Sequence, residues 1–541
     1  MLGFFKKRQK KKANGLNDKR HPEIDWLNTI DASLSINLEI IKEKTGNSPD
    51  VIIRELSMGL NDSVRTAIVY IEGMVDDQSI KDFLIESLMK NQNLQEKVTQ
   101  QEPLGLLKKK AVPFGDVVTG REWDQLFSSL MAGEALIFID GTAEVLIIDT
   151  RGGEKRAIEE PSSQVVVRGP RDGFTEDIRT NISLVRRRIR NPSLWVEPMK
   201  IGQTTKTEVA IMYINDVANE KVVKEVRRRL KQINVDSILE SGYVEQLIED
   251  QTFTTFPTLY HTERPDAVAG NLMEGRVAIF VDGTPFVLLA PAVFIQFFQS
   301  VEDYYTRFDL ATALRFLRIL IFFISLIAPA AYVAATTFHQ EMIPTQLLIT
   351  VAAQREAVPF PSFIEALLME ITFEILREAG IRMPRAVGSA ISIVGAIVIG
   401  QAAVQAGIVS PAMVIIVSIT AIASFATPSY SVAISARLIR FLFMVAAATF
   451  GFYGIILGII MLTVHLCSLR SFGVPYMSPL APFTLVNNSD TIIRAPWWAF
   501  WQRPRLISGE NTVREGSRQK PRPPMNREMV SRSNEKGDSN E

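Results

Sequence analysis

Three glutamates inside an apolar stretch are the first residues of this sequence that could do chemistry. Glu365, Glu370 and Glu374 lie in the run PFPSFIEALLMEITFEILREA, residues 359–379. The run could form an amphipathic helix at a membrane surface, with its charges in water. It could instead form a membrane-embedded helix whose glutamates face water or protein, and carboxylates placed there usually mark an ion path. The sequence leaves both alternatives open, and with them a membrane-crossing number between four and six.

A second group of residues could line a pore. Val394, Val398, Gln401 and Gln405 lie in the uncharged run GSAISIVGAIVIGQAAVQAG, residues 388–407, and their spacing places them on one face of a helix. The valines would form a constriction that excludes water, and the glutamine amides a polar vestibule. Alternatively, the small residues let helices pack and the glutamines hydrogen-bond across helices. Because one helix cannot enclose a pore, the pore reading requires an oligomer or a partner.

A basic segment at residues 161–197 offers a third candidate site. Two turn dipeptides make RGPRDGF an irregular loop. A short helix should follow, with Thr175 as its N-cap and arginines in its last turn, where cations are favoured. These arginines form either a solvated helix face or a contact with another subunit or an anionic lipid, since guanidinium groups pair well with carboxylate and phosphate. The residues assigned to that hypothetical contact are Arg168, Arg171, Arg186, Arg187 and Arg188.

The chain otherwise lacks the residue patterns of an enzyme. It has no Walker-type phosphate loop and no Gly-x-Ser-x-Gly motif. One cysteine, Cys467, and four scattered histidines exclude a disulfide framework and a metal-ligand spacing. Lys and Arg together number 59, as do Asp and Glu, so the overall charge gives no reason to expect nucleic acid. We therefore predict a binding or regulatory protein that is not an enzyme and has no metal and no cofactor.

Long apolar runs must position these groups. Residues 319–338, 387–428 and 441–469 are long enough to span a bilayer once, twice and once, and flanking arginines favour a cytosolic start. We expect a break near Gly407 in the second run. In the third, Gly451, Gly454 and Gly458 could bend the helix or let a neighbouring helix approach closely. Residues 285–300 are apolar but short and should rest at the interface. Three tryptophans with neighbouring arginines predict an interfacial anchor: Trp497, Trp498 and Trp501.

The part before these runs is a duplication. TAIVYI at 66–71 recurs as VAIMYI at 209–214, and GEALIFIDGTAEVLII at 133–148 recurs as GRVAIFVDGTPFVLLA at 275–290. Repeats with matched order and spacing indicate one structural unit used twice. Each copy ends in a hairpin with Asp-Gly at its turn. We predict two small α/β subdomains with mixed sheets.

The predicted fold class is therefore an α+β soluble region, made of two duplicated small α/β subdomains, followed by an α-helical transmembrane domain. The predicted division of the chain is a basic flexible arm (1–33), soluble subdomain 1 (34–160), a linker loop and basic helix (161–197), soluble subdomain 2 (198–290), a helical membrane domain (291–475), and an interfacial segment with a disordered tail (476–541).

Two long runs carry a family resemblance. SSQVVVRGPRDGFTEDIRTNISLVRRRI and PFPSFIEALLMEITFEILREAGIRMPRAVGSAISIVGAIVIGQAAVQAGIVSP are similar to segments of the A-subunit family of bacterial spore germinant receptors. The resemblance extends from about residue 28 to 496. It implies a multi-pass protein of the spore inner membrane, with the N-terminal region and the tail on the cytoplasmic, spore-core side.

The resemblance also implies partners and an activity. Members of this family work with a transporter-like B subunit, which binds the nutrient, and a lipoprotein C subunit. The A subunit would form a homo-oligomer within the membrane lipids that acts as a nutrient-gated ion channel, and its opening would release monovalent cations and begin germination. The resemblance itself leaves open a paralogous stage V sporulation accessory channel. Two alternatives of other classes also stay open: a non-conducting signalling scaffold, and a solute carrier, although the apolar half shows no inverted repeat.

Overall fold

The structure is a computed structural model. It describes residues 28–58, 64–82, 104–105, 108, 117–152, 160–161, 164, 166–382, 398–483, 490–514 and 520–521. Predictions about residues 1–27 of the basic arm, about Val394 and about most of the tail fall outside these residues. The chain divides into two compact units, described separately below: residues up to 155 with 186–195, and residues 156–185 with 196–541.

The first unit is built on a five-stranded sheet. Its strands are β1 (Val51–Met58), β2 (Val64–Ile71), β3 (Val117–Gly120), β4 (Ala135–Ile139) and β5 (Val145–Ile148), in the order β1-β2-β4-β5-β3. All four neighbouring pairs are antiparallel, so the prediction of a mixed sheet is wrong for this sheet. The physical reason is that β1–β2 and β4–β5 follow each other directly in the chain, and short connections permit only antiparallel pairing.

Within the described residues, three helices accompany this sheet: α1 (Leu34–Lys44), α2 (Asp77–Asp82) and α3 (Trp123–Met131). Buried side chains of α1 and α3 cover one face of the sheet, and Leu38, Ile41 and Leu126 are at most 4% exposed. Ile80 of α2 belongs to the cluster on the other face. Because both faces are covered, β2 and β4 consist of nearly continuous apolar residues instead of alternating ones.

A second sheet repeats this arrangement. Its strands are β6 (Leu194–Ile201), β7 (Thr207–Ile214), β8 (Tyr260–Thr262), β9 (Val277–Val281) and β10 (Val287–Ala290), in the order β6-β7-β9-β10-β8. Its helices are α4 (Ile178–Arg186), α5 (Glu220–Gln232), α6 (Ser241–Ile248) and α7 (Pro265–Met273). Both sheets have the same strand order, and each is preceded by a helix in the equivalent position, α1 or α4. This confirms the predicted duplication.

The repeat includes the basic helix α4, which is the counterpart of α1. Asp140 in the first hairpin turn accepts a hydrogen bond from the first amide of α1, Leu34 N, at 3.0 Å. Asp282 in the second accepts one from the first amide of α4, Ile178 N, at 3.2 Å. Each aspartate thus caps the start of a helix. The sequence reading had treated this helix as part of a connecting segment.

The N-cap predicted for α4 is corrected by two residues. The Asp177 carboxylate accepts a hydrogen bond from Thr180 N at 2.7 Å, which is the contact of an N-cap side chain. Thr175 Oγ1 instead accepts one from Asp177 N at 3.3 Å, within the preceding turn. The segment 285–300, predicted to rest at the interface, is packed largely inside the protein. Residues Val287–Ala290 are the buried strand β10, and Ile295, Phe297 and Phe298 lie in the core that includes the helices described next.

The helical part comprises α8 (Phe308–Thr337), α9 (Thr345–Arg355), α10 (Ser362–Arg382), a helical segment at 398–405, α11 (Pro411–Phe425) and α12 (Tyr430–Ser468). Among the described helices, α8 and α12 are long and apolar enough to cross a membrane. Gly407, with a φ of +66°, and the Ser410 N-cap of α11 separate segment 398–405 from α11. This confirms the break predicted near Gly407.

Helix α12 folds back on itself at Gly451. That residue has a non-helical backbone, with φ 62° and ψ −142°. Near one end of α12, Ser435 Oγ donates to the carbonyl of Thr255, and near the other His465 Nε2 lies 3.0 Å from Thr254 Oγ1. Residues 435 and 465 would be about 45 Å apart on a straight helix. Their contacts with two adjacent threonines therefore require two antiparallel limbs, 430–450 and 452–468. Of the two alternatives left open for the glycines of this run, the structure shows a bend, at Gly451.

Candidate functional site

The predicted pore-lining face is described from residue 398 onward. Segment 398–405 is helical, and Val398, Gln401 and Gln405 are exposed on it, Val398 to 57%. Val394 lies outside the described residues. The structure thus brings three of the four residues onto one exposed helical segment. Their role as a pore lining stays a prediction.

Helix α10 carries the three glutamates and packs inside the helical bundle. Its first residue, Ser362, hydrogen-bonds to Thr336 at the end of α8 at 2.8 Å. Near its other end, Arg377 lies over the ring of Tyr430, at the start of α12. Glu365 and Glu370 are 0% and 3% exposed. Two of the glutamates therefore face protein, as in the second alternative drawn from the sequence.

Glu365 holds the start of α11 in place. Its Oε2 accepts hydrogen bonds from Ser410 N at 3.0 Å and Ser410 Oγ at 2.8 Å. Its Oε1 lies 3.3 Å from Arg355 Nε, so the buried carboxylate has a cationic partner. Ser410 is the N-cap of α11, so these hydrogen bonds join α10 to the start of α11.

Glu370 and Glu374 pair with two arginines of α12. Glu370 Oε2 lies 2.5 Å from Arg440 Nη1, and both side chains are at most 4% exposed. Glu374 Oε1 lies 2.6 Å from Arg437 Nη1. The Glu374 side chain is 46% exposed, so only the Glu370–Arg440 pair is buried on both sides. A buried ion pair is costly to break because the remaining charge loses its partner. We call the following set the charge ladder: Glu365–Arg355, Glu370–Arg440 and Glu374–Arg437.

Arg437 and Arg440 are not among the predicted site residues, since in the sequence they count only as charges flanking an apolar run. A usable signal was present. The two glutamates are four residues apart and the two arginines three apart, so each pair lies on one helix face. If the helices run antiparallel, the first glutamate meets the second arginine, as the structure shows.

Several buried atoms of this region have no hydrogen-bond partner among the described residues. They are Glu370 Oε1, Arg440 Nε and Nη2, Arg437 Nη2, and Arg377 Nε and Nη1. Buried polar atoms normally have partners in protein or water. These atoms of the charge ladder and of Arg377 could therefore form hydrogen bonds with further polar groups. Whether Glu365, Glu370 and Glu374 serve an ion path stays a prediction.

The basic segment at 161–197 contains arginines in different environments. Arg186 is 1% exposed and makes two hydrogen bonds to Asp50, at 2.7 and 3.1 Å. Arg187 donates to the carbonyls of Gly73 and Gly152 at 3.2 and 3.1 Å. Arg188 is partly buried, whereas Arg168 and Arg171 are exposed. A contact of these five arginines with another subunit or a lipid stays a prediction, and the exposed pair is the more accessible.

A second buried charge cluster lies at the start of α8. Asp303 lies 2.9 Å from Arg315 and 2.8 Å from Arg318. Asp490 lies 2.7 Å from Arg315 and accepts a hydrogen bond from Tyr304 Oη at 2.7 Å. Burial raises the pKa of the Asp490 carboxyl, and Arg315 opposes that shift.

The predicted anchor residues follow in the chain, and Trp497, Trp498 and Trp501 are 47%, 42% and 57% exposed.

The second repeat also holds a titratable carboxyl in helix α6. Burial, together with the smaller effect of the nearby Glu249 and Glu240, raises the pKa of Glu245 to about 7. His261 Nδ1 lies 3.9 Å from this carboxyl. Burial lowers the pKa of His261, so the ring is neutral at pH 7 and does not stabilise the carboxylate as a cation would.

This environment predicts that replacing Glu245 stabilises the folded chain at high pH but not at low pH. In the unfolded chain Glu245 loses its proton above pH 4.5, its ordinary pKa, whereas in the folded chain it keeps this proton up to about pH 7. The folded state therefore loses stability as the pH rises through this window. We expect Glu245→Gln to raise the free energy of unfolding by about 1–3 kcal/mol at pH 8 and to change little at pH 4.5. Thermal unfolding of the purified chain at both pH values tests this. The exposed Glu220→Gln serves as control, and an equal effect of Glu245→Gln at both pH values would contradict the assignment.

In the described ranges, no group of three or more His, Cys, Asp and Glu side chains is placed to hold a metal ion.

Comparison with known proteins gives consistent results. A family model described as Bacillus/Clostridium GerA spore germination protein matches residues 39–506. Spore germination protein KA of Bacillus subtilis (strain 168) is 63% identical over 511 residues, covering 94% of this chain and 93% of that protein. Spore germination protein GerLA of Bacillus cereus is 39% identical over 490 residues, covering 90% and 99%.

The chain is also similar to a solved structure. That structure is the N-terminal domain of the A subunit of the Bacillus megaterium spore germinant receptor GerK3, which is 54% identical and covers 50% of this chain and 98% of its own, with a TM-score of 0.41.

Proposed function

Because the chain belongs to the GerA family of Bacillus/Clostridium spore germination proteins, we propose that it acts as the A subunit of a germinant receptor whose opening starts germination. On this proposal it forms a homo-oligomeric ion channel in the inner membrane of the spore. A transporter-like B subunit senses the nutrient, and a lipoprotein C subunit completes the receptor. Nutrient binding to the B subunit would favour the open channel only as far as the nutrient binds more tightly to the receptor with the channel open than with it closed.

One observation carries the channel proposal. Gln401 and Gln405 are exposed on a helical segment whose neighbours in the bundle expose apolar side chains, such as Ile415 and Ile422 of α11 at 59% and 71%. Amides facing hydrocarbon would lack hydrogen-bond partners, which is unfavourable. A ring of several copies with this segment at its centre would give the amides water and place Val398 at a constriction.

We further propose six membrane crossings, the upper value left open by the sequence. They would be α8, α10, a crossing that includes segment 398–405, α11 and the two limbs of α12. The contacts of Ser435 and His465 with adjacent threonines support this count, because they return both limbs to the side on which the second repeat lies. The N-terminal region and the tail would then share the cytoplasmic side. The domain boundaries given above and the subunit or lipid contact of Arg168 and Arg171 belong to the same proposal.

The channel proposal predicts that a smaller side chain at the constriction increases leak. We expect Val398→Ala and Val394→Ala to raise ion flux through the purified chain in liposomes about tenfold, the effect of lowering a barrier by about 1.4 kcal/mol. Val464→Ala is the matched control, because Val464 is 64% exposed on the second limb of α12. Flux and oligomer size are measured together on each variant.

The other outcomes separate the alternatives. Variants that weaken assembly without leak favour a non-conducting scaffold, and saturable uptake of a solute by the chain alone favours a carrier. Intact oligomers without flux in any variant contradict a pore made by this chain alone. Repeating the measurement with the B-type subunit then tests whether the partner completes the pore. Genes for B- and C-type subunits beside this one would favour the receptor over an accessory stage V sporulation channel.

A further inference from the structure

Arg377 is a buried cation that lacks a hydrogen bond at two of its nitrogens. It lies on α10, is 8% exposed, and its guanidinium group lies over the rings of Phe425 and Tyr430, 5.3 and 5.5 Å from their centres. Its Nε and Nη1 have no hydrogen-bond partner among the described residues. The aromatic faces stabilise the cation, but they leave its in-plane donors unused.

A second guanidinium group lies beside it and shares the same carboxylate. Glu374 Oε1 is 2.6 Å from Arg437 Nη1 and 3.9 Å from Arg377 Nη1. Arg437 lies 5.9 Å from the centre of the Tyr430 ring, and its Nη2 also lacks a partner within the described part of the chain. Unused donors of two guanidinium groups therefore lie around one carboxylate and one ring.

The charges in this part of the bundle do not balance. Arg377, Arg437 and Arg440 carry three positive charges, whereas Glu370 and Glu374 carry two negative ones. The exposed Glu378 and Arg382 pair with each other at 2.6 Å and add no net charge. Residues 383–397, which connect α10 to the next helical segment, contain no Asp or Glu. One buried positive charge is therefore left over, and an uncompensated buried charge is strongly unfavourable.

We infer that Arg377 and Arg437 form a binding site for one oxyanion of the phosphate class. Guanidinium groups suit this ligand because their planar N–H pairs match two oxygens of one phosphate. The anion would supply the missing negative charge and accept from Nη1 of Arg377 and Nη2 of Arg437, the two unused donors beside Glu374. A lipid headgroup and free phosphate share this chemistry. The site does not depend on whether the chain conducts ions, so flux and anion binding can succeed or fail separately.

The test is the thermal unfolding of the purified full-length chain in detergent, with inorganic phosphate titrated against chloride at equal ionic strength. We expect phosphate to raise the wild-type melting temperature by about 2–4 °C in a saturable way. Arg377→Gln should abolish the saturable rise. Arg382→Gln should keep it, because Arg382 is on the same helix but its side chain is 78% exposed. Glu374→Gln, which removes the competing carboxylate, should lower the half-saturating phosphate concentration about tenfold.

A second measurement distinguishes the sources of the phosphate group. Phosphorus is counted per chain after exhaustive detergent washing, and again after incubation with vesicles of phosphatidylglycerol or phosphatidylcholine. One phosphorus atom per chain that is retained by the wild type and lost in Arg377→Gln identifies a lipid headgroup. Stabilisation by free phosphate without retained phosphorus identifies a soluble anion. If Arg377→Gln fails to fold, Glu374→Gln decides. A lower half-saturating phosphate concentration than in the wild type supports the site, and an unchanged or higher one contradicts it. The inference is overturned if neither source binds, or if all variants respond like the wild type.

Discussion

Replacing Arg440 with leucine should lower the free energy of unfolding by about 3–5 kcal/mol. The substitution removes the partner of Glu370, which is 3% exposed, and leaves its carboxylate buried without a counter-charge. A carboxylate in that position must either remain ionised at high cost or take up a proton. The loss is measured as a shift in the denaturation midpoint of the detergent-solubilised chain.

The double variant Glu370→Leu with Arg440→Leu separates two explanations. If the loss arises from the unpaired carboxylate, leucine at both positions should recover most of the stability, because two apolar side chains can replace a buried ion pair at little cost. Arg382→Leu is the matched control and should change stability by less than about 0.5 kcal/mol, since its ion pair with Glu378 is exposed. A double variant as unstable as Arg440→Leu would contradict this account.

Gly451→Ala should lower the free energy of unfolding by about 3 kcal/mol. The backbone there, with φ 62° and ψ −142°, is favourable only for glycine. A Cβ atom at this position would also lie 2.6 Å from Cε1 of His339 and 3.0 Å from Cβ of Phe338. Both effects act at the point where α12 reverses, so the variant should also loosen the contact between the two limbs. Limited proteolysis and the thermal midpoint measure these two consequences.

Gly400→Ala provides the contrast for this prediction. Gly400 lies in the helical segment 398–405, and an added Cβ there would meet only Val414, at an ordinary distance of 3.7 Å. Alanine in a helix is favoured over glycine by about 0.5–1 kcal/mol, so this variant should be neutral or slightly more stable. Equal losses for the two alanine variants would show that the reversal at Gly451 is not what makes alanine unfavourable there.

Local signals allowed most of the soluble fold to be predicted. The Asp-Gly turns and the recurring apolar strands appear in the sequence at matched spacing, and the structure has a hairpin at each. The role of Asp140 and Asp282 as helix caps could not be predicted in this way, because the capped amides of Leu34 and Ile178 are more than a hundred residues away. For the same reason, the basic helix was not seen as the counterpart of α1.

The candidate site was predictable in its residues but not in its pairings. Glu365, Glu370 and Glu374 stood out because carboxylates are rare in apolar runs. Their partners became visible only when α10 and α12 were packed antiparallel, since Glu370 and Arg440 are separated by seventy residues. Gln401 and Gln405 follow helical spacing in the sequence, but their exposure is a property of the assembled bundle.

The reversal of α12 also has a mechanical consequence. Ser435 and His465 are held at adjacent threonines, so the thirty residues between them add almost nothing to the end-to-end distance of the folded chain. Under a stretching force applied through the two ends of the chain, detachment of this hairpin would release its whole contour in one event. At about 3.4 Å per extended residue, the released length would be about 100 Å. A single step of that size in a pulling experiment would identify the hairpin as one mechanical element of the bundle.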